Sequence, residues 1–249
     1  MDMELPPDLE PIIQAASEFA SYPGVVNDAA AKDFLDQYPL PVLLSMLQLK
    51  SDVPSLEDAL VSCLDRIFRT RYGSSLLLQY VVSIQAGLQA NSESIRCLAC
   101  KSVSWIIENS ENKGSAVKVL VEHSIYPLLI NCLVAGNEKT SSAAVNAIKN
   151  VAKSPEGIGI IFPSSSEEPM QLKSVASHCS SLARIRILAL IKELFSISDN
   201  VASAIFGSNL LSLFEMEINE SNDPLTVLSA LEVLYERIGM DKIYMDCNK

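Results

Sequence analysis

The chain has 249 residues, of which 49% are hydrophobic, 20% charged and 6% aromatic, with only nine glycines. That composition belongs to a core-forming chain rather than a disordered one, and it disfavours a sandwich or barrel built on glycine-rich hairpins. Acidic residues outnumber basic ones 30 to 19, a net charge of −11, and no long Lys/Arg run supplies the basic surface that nucleic acid or an anionic membrane requires.

The opening MDMELPPDLEP is acidic and proline-bearing and lacks the apolar core of a signal peptide. No apolar stretch approaches 18 residues, so no membrane span is expected. Six cysteines stand at 63, 97, 100, 132, 179 and 247. Scattered through helical patterns, they read as reduced core thiols of a cytoplasmic protein, with the nucleus as a second compartment.

Helical periodicity with turn punctuation accounts for nearly the whole chain. The spacing predicts an opening helix at about Leu9–Ala20, ended by Tyr22-Pro23-Gly24, then Asn27–Tyr38, stopped by Pro39, and a helix from Pro41 to about Leu49. Pro54 begins another, with Leu56, Leu60, Cys63, Leu64 and Ile67 at helical spacing. Ser74–Ala90 and Ser92–Asn109 follow, separated only by Asn91.

From residue 113 a triad of short, medium and long helices recurs. It reads first as Lys113–His123, Ile125–Ala135 and Lys139–Lys153, then as Pro155–Phe162, Met170–His178 and Ser181–Phe195, and again as Asn200–Phe206, Leu210–Ile218 and Pro224–Ile238. Taking one core position in each long helix gives Cys63, Val103, Ile148, Leu190 and Leu231, separated by 40, 45, 42 and 41 residues. Armadillo and HEAT arrays repeat every ~40–47 residues. The flanking core positions move with these anchors: Ala99, Ala144 and Val227 four earlier, and Ile67, Ile107, Ala152, Leu194 and Tyr235 four later. Arg186 breaks the set, so Ile187 or Ala183 is expected to turn inward in its place. The predicted fold is all-α: a right-handed armadillo/HEAT-like superhelical solenoid of about five repeats, in which stacking makes the core continuous. An irregular helical bundle is the alternative.

The expected organisation is one armadillo-like domain over 1–249, with amino-terminal helices at about 9–50, repeat units over 51–238 and a tail at 239–249. FPSSSEEP at Phe162–Pro169 reads as an exposed polar loop. Little after the fifth long helix resembles a polar cap, which suggests the front half of a longer array.

No constellation reads as an active site. Cys97 and Cys100 form a Cys-x-x-Cys inside a helix, with no preceding strand for a redox site and no second pair for zinc. His123 and His178 are expected at helix ends, where a cation suits the dipole. Phosphate loops, nucleophile elbows and paired-carboxylate patterns are absent from the sequence. The chain is therefore expected to be no enzyme, to bind no cofactor, metal or small-molecule substrate, and to work through a protein partner.

The long third helices are where an armadillo array meets such a partner. Trp105 lies about 200° round the helix from core Val103, Asn109 is one turn beyond it, and a 45-residue step puts Asn150 at the Trp105 position with Asn146 one turn before. An exposed Trp with Asn side chains can hold an extended peptide, as in importin-α proteins. The competing expectation is that Trp105 packs against a neighbouring helix.

The stretches EFASYPGVVNDAAAKDFLDQYPLPVLLSMLQ, SDVPSLEDALVSCLDRIFRTRYGSSLL and SIRCLACKSVSWIIEN resemble the plant members of the family of 26S proteasome non-ATPase regulatory subunit 5, from about Leu9 to Ile238. The resemblance implies an armadillo-type chaperone that holds the carboxy-terminal region of a base ATPase subunit while the proteasome regulatory particle assembles. A nuclear-transport-type adaptor reading extended peptides on its concave face is the alternative. Against it stand the single Trp and the absence of a basic importin-β-binding segment.

Overall fold

The structure, a computed structural model, describes residues 9–48, 55–163, 172–208 and 210–220, with single positions at 224, 227, 228, 230, 231 and 235. Helices account for most of these residues, and no strand occurs among them. By packing, the chain divides into two compact units, residues 1–132 with 136–151 and residues 133–135 with 152–249.

The first unit opens with α1 (Glu10–Ser21), which packs on α4 (Leu56–Phe68). Between them run α2 (Asp28–Gln37) and α3 (Leu40–Gln48). Then come α5 (Arg71–Leu77), α6 (Val81–Leu88) and α7 (Glu93–Asn109), followed by α8 (Lys113–Glu122), α9 (Ile125–Ala135, its last three residues in the second unit) and α10 (Glu138–Val151). Polar side chains start several helices by accepting from the first free amides: Asn27 from Ala30, Thr70 from Gly73, Asn112 from Ser115. Ser124, left-handed at φ 52°, forms the corner at which the chain bends by 80° between α8 and α9.

The continuous helix expected over Ser74–Ala90 is not formed. A 3₁₀ turn at Leu78–Tyr80 separates α5 from α6. Leu77, Val81, Ile84 and Leu88 are all buried on either side of it, so the apolar period runs on through a bend that periodicity does not register. Gly73 permits the close approach of α5 to the end of α4: a Cβ there would lie 2.1 Å from the carbonyl oxygen of Ile67.

The third helices of this unit pack side by side, with α7 between α4 and α10. Cys63, Val103 and Ile148 are fully buried at their centres, flanked by buried Ala99, Ala144, Ile67 and Ile107. The small Ala143, Ala144 and Ala147 let α10 lie close against its neighbour.

The second unit contains α11 (Pro155–Ile161), α12 (Leu172–His178), α13 (Ser181–Phe195), α14 (Asp199–Gly207) and α15 (Leu211–Glu220). Helix α13 packs against α12 and α14. Leu190 is fully buried, and Ala183 and Ile187 both turn inward in place of Arg186. Arg186 instead donates from Nη1 to the carbonyls of Leu133 and Val134, each at 3.2 Å, and so supplies a cation to the last turn of α9.

Two core assignments are corrected. Leu231 is 45% exposed, and Tyr235 is exposed with it. Among the positions described there, Ala230 is the buried one, next to Leu231, and one residue is a turn of about 100° on a helix. The expected loop beyond Pro163, most of the last long helix, the tail and Cys247 lie outside the described residues.

Candidate protein-binding face

The side chains predicted to meet a partner lie on α7 and α10, and α4 brings others beside them. Trp105 is half-buried, and the guanidinium carbon of Arg69 from α4 sits 5.9 Å from the centre of its ring. At that range a cation is attracted by the ring's electron-rich face. Trp105 thus meets a neighbouring helix on one side while retaining some exposure, which combines elements of the two expectations. Asn109 and Asn146 are exposed.

Asn150 differs from its expected open position. It is 3% exposed, and its Nδ2 donates to Glu108 Oε1 on α7 at 2.7 Å. The close packing of α10 on α7 covers it, and a buried amide needs a partner of this kind.

Charged residues surround Trp105. Asp65, whose side chain is 15% exposed, accepts from Arg69 one turn later at 2.5 Å and from Lys101 across on α7 at 2.7 Å. Asp65, Arg69, Lys101 and Glu108 were not singled out from the sequence. A signal for two of them existed: the 40-residue step from Val103 back to Cys63 also carries Trp105 to Asp65 and Asn109 to Arg69.

The cysteines are placed for packing. Free thiols occur at Cys63, Cys97, Cys100, Cys132 and Cys179. Burial pushes the Cys63 thiol up to about 12. A hydrogen bond with Cys132, together with burial, holds the Cys100 thiol far above the usual range, and burial also raises Cys97. Raised thiols carry little thiolate, which is the reactive form. Among the described residues no three His, Cys, Asp or Glu side chains come together to hold a metal ion. His123 follows the last turn of α8 and His178 ends α12, each ring nitrogen near a carbonyl four residues back, Val119 and Ser174, at 2.9 Å.

What the face offers is a half-buried aromatic, exposed amides and a charge network, the equipment for holding a protein segment. Solved structures agree with the repeat reading of the fold. A designed armadillo repeat protein, YIII(Dq)4CqI, superposes with a TM-score of 0.59 over 92% of this chain and 95% of its own, at 16% identity. Another designed armadillo repeat protein, in complex with the peptide (KR)4, gives 0.58 over 91% and 92%, again at 16% identity. The fold is all-α and of armadillo type.

Sequence relatives narrow the family. The 26S proteasome non-ATPase regulatory subunit 5 of Bos taurus and that of Homo sapiens are each 22% identical over 174 residues, 70% of this chain. The matched segment makes up 33% of each of those proteins, so this chain corresponds to only part of their length. The profile of the family described as "Proteasome non-ATPase 26S subunit" matches residues 48–238, a span that takes in α4, α7 and α10 and with them the whole of the face around Trp105. On that match, the chain belongs to the proteasome non-ATPase 26S subunit family.

Proposed function

We propose that this chain is a non-catalytic assembly chaperone for the base of the 26S proteasome regulatory particle, acting in the cytoplasm and the nucleus. It holds the carboxy-terminal region of one base ATPase subunit on the face formed by α4, α7 and α10. Trp105, Asn109 and Asn146 contact the partner, and Asn150 supports them from below by fixing Glu108. The family match over residues 48–238 carries this reading.

The test is direct binding of the purified chain to the isolated carboxy-terminal domain of each base ATPase, alongside the finished 26S particle. One domain is expected to bind and the finished particle to bind poorly. Failure to capture any of these domains, with an intact helical circular-dichroism spectrum, removes the chaperone reading.

A further inference from the structure

Leu228, Leu231 and Tyr235 have counterparts in the earlier repeats. The repeat steps lead from these three to Ile187, Leu190 and Leu194 in α13, and on to Cys100, Val103 and Ile107 in α7. All six counterparts are at most 1% exposed. Between them in sequence, Ile148 and Ala152 are fully buried and Val145 is half-buried. Leu228, Leu231 and Tyr235 themselves are 56%, 45% and 78% exposed. Positions that are sealed in the preceding units are open to water in the last.

The three residues are helical, and at about 100° per residue they fall within about 60° of one another. Ala230 lies about 100–160° round from each of them and is fully buried. One side of this helical segment is therefore covered and the other side is open. Helix α7 shows what closes both sides in an internal repeat. It lies between α4 and α10, and Val103 and Ser102, the counterparts of Leu231 and Ala230, are both buried there. A third helix of this chain is thus built to be flanked by other third helices. Each repeat of such an array contacts only its neighbours, so the core face of an uncovered unit calls for a polar cap or a matching surface.

The stripe carries no charged residue among its three positions, and its one polar atom is the Tyr235 hydroxyl. It matches an apolar helix face, and a second copy of the chain presents such a face with the same spacing. A two-fold axis sets the two stripes against each other, which is the usual way one patch serves both partners.

We propose that the chain pairs with a second copy of itself through Leu228, Leu231 and Tyr235, each copy giving the other the covering helix that internal repeats give one another. The stripe is narrow beside the ~800 Å² per partner of a standard interface, so the dimer is weak and reversible. The inference does not depend on the reading of the face around Trp105.

Sedimentation equilibrium of the full chain, from micromolar to near-millimolar concentration, tests it. The weight-average mass should rise from that of one chain towards twice that value. Added salt should strengthen the association, because each copy carries a net charge of −11 and screening weakens their repulsion while leaving apolar contact intact. Leu231→Glu and Tyr235→Glu should each weaken pairing about tenfold or more, since a carboxylate at the contact would lose its water. Melting temperatures of both variants should stay close to that of the parent at micromolar concentration, where the stripe is open. A photo-crosslinking residue, p-benzoylphenylalanine in place of Tyr235, gives a second readout that keeps an aromatic ring at the site. It should yield a covalent homodimer whose link maps to positions 228–235 of the other copy. A chain that stays monomeric over the whole range, a dimer indifferent to both substitutions, an association that salt weakens, or a cross-link that maps elsewhere overturns the proposal.

Discussion

Asn150 on α10 donates to Glu108 on α7 at 2.7 Å, and this bond joins the third helices of two successive repeats. Asn150 is nearly inaccessible to water, so the bond replaces solvation that the amide gave up on folding. Asn150→Ala should lower stability by about 1–2 kcal/mol, the range for a hydrogen bond to a charged acceptor. Asn150→Asp should cost more, because it sets a second carboxylate against Glu108. Urea denaturation of the three proteins measures this, and equal midpoints would mean that the bond contributes nothing in solution.

Leu190 and Leu231 test the core register. Leu190 is fully buried in α13, whereas Leu231 is 45% exposed. Leu190→Ala should cost about 2–5 kcal/mol and Leu231→Ala clearly less, because truncating a side chain that is already partly in water leaves little cavity. Similar losses at both positions would restore Leu231 as a core anchor.

Glu93, at the start of α7, ties two repeats together from the other end. Its carboxylate accepts from the Thr140 hydroxyl at 2.7 Å and from the Asn137 amide at 3.2 Å, and it pairs with Arg96. The Thr140 hydroxyl above all, with the Asn137 backbone amide and Arg96 adding to it, holds its carboxyl below the ordinary glutamate value of 4.5, against an opposing effect of burial second only to the Thr140 bond. A lowered folded-state value means that the stabilisation is complete above about pH 4.5 and is lost as the pH falls through the folded value. The melting temperature of the parent should therefore exceed that of Glu93→Gln at pH 7, and the gap should close on acidification towards pH 3. A gap independent of pH would assign the difference to packing rather than to charge.

In the proposed function, Trp105 is the anchor of the binding face. Trp105→Ala should weaken binding of the captured ATPase domain by about 2 kcal/mol, the size of an interface hot spot. The melting temperature should fall only modestly, since the ring is half in water. Calorimetric titration and thermal melting of the same preparation compare the two effects. A large loss of stability with unaltered affinity would place Trp105 among the packing residues.

The radial pattern of the array is legible in the sequence. Cys63, Val103, Ile148 and Leu190 recur near the armadillo period and are all fully buried. Burial of one face is a one-dimensional signal: an apolar residue returns each time the helix turns inward, and the chain records it. The inward turn of Ile187 and Ala183 around Arg186 follows from the same signal. Other features depend on how one helix sits against the next. That offset decides that Lys101 reaches Asp65, that Arg69 covers Trp105, and that Asn150 is sealed against Glu108 rather than left open beside Asn146. It also decides that a 3₁₀ turn interrupts the apolar run between Leu77 and Val81, where the buried positions carry on through the bend. Periodicity states which way a side chain points from its own helix axis. The axial slide and separation of neighbouring helices are set by the packing of both partners at once, and those two quantities determine which polar groups meet across the face.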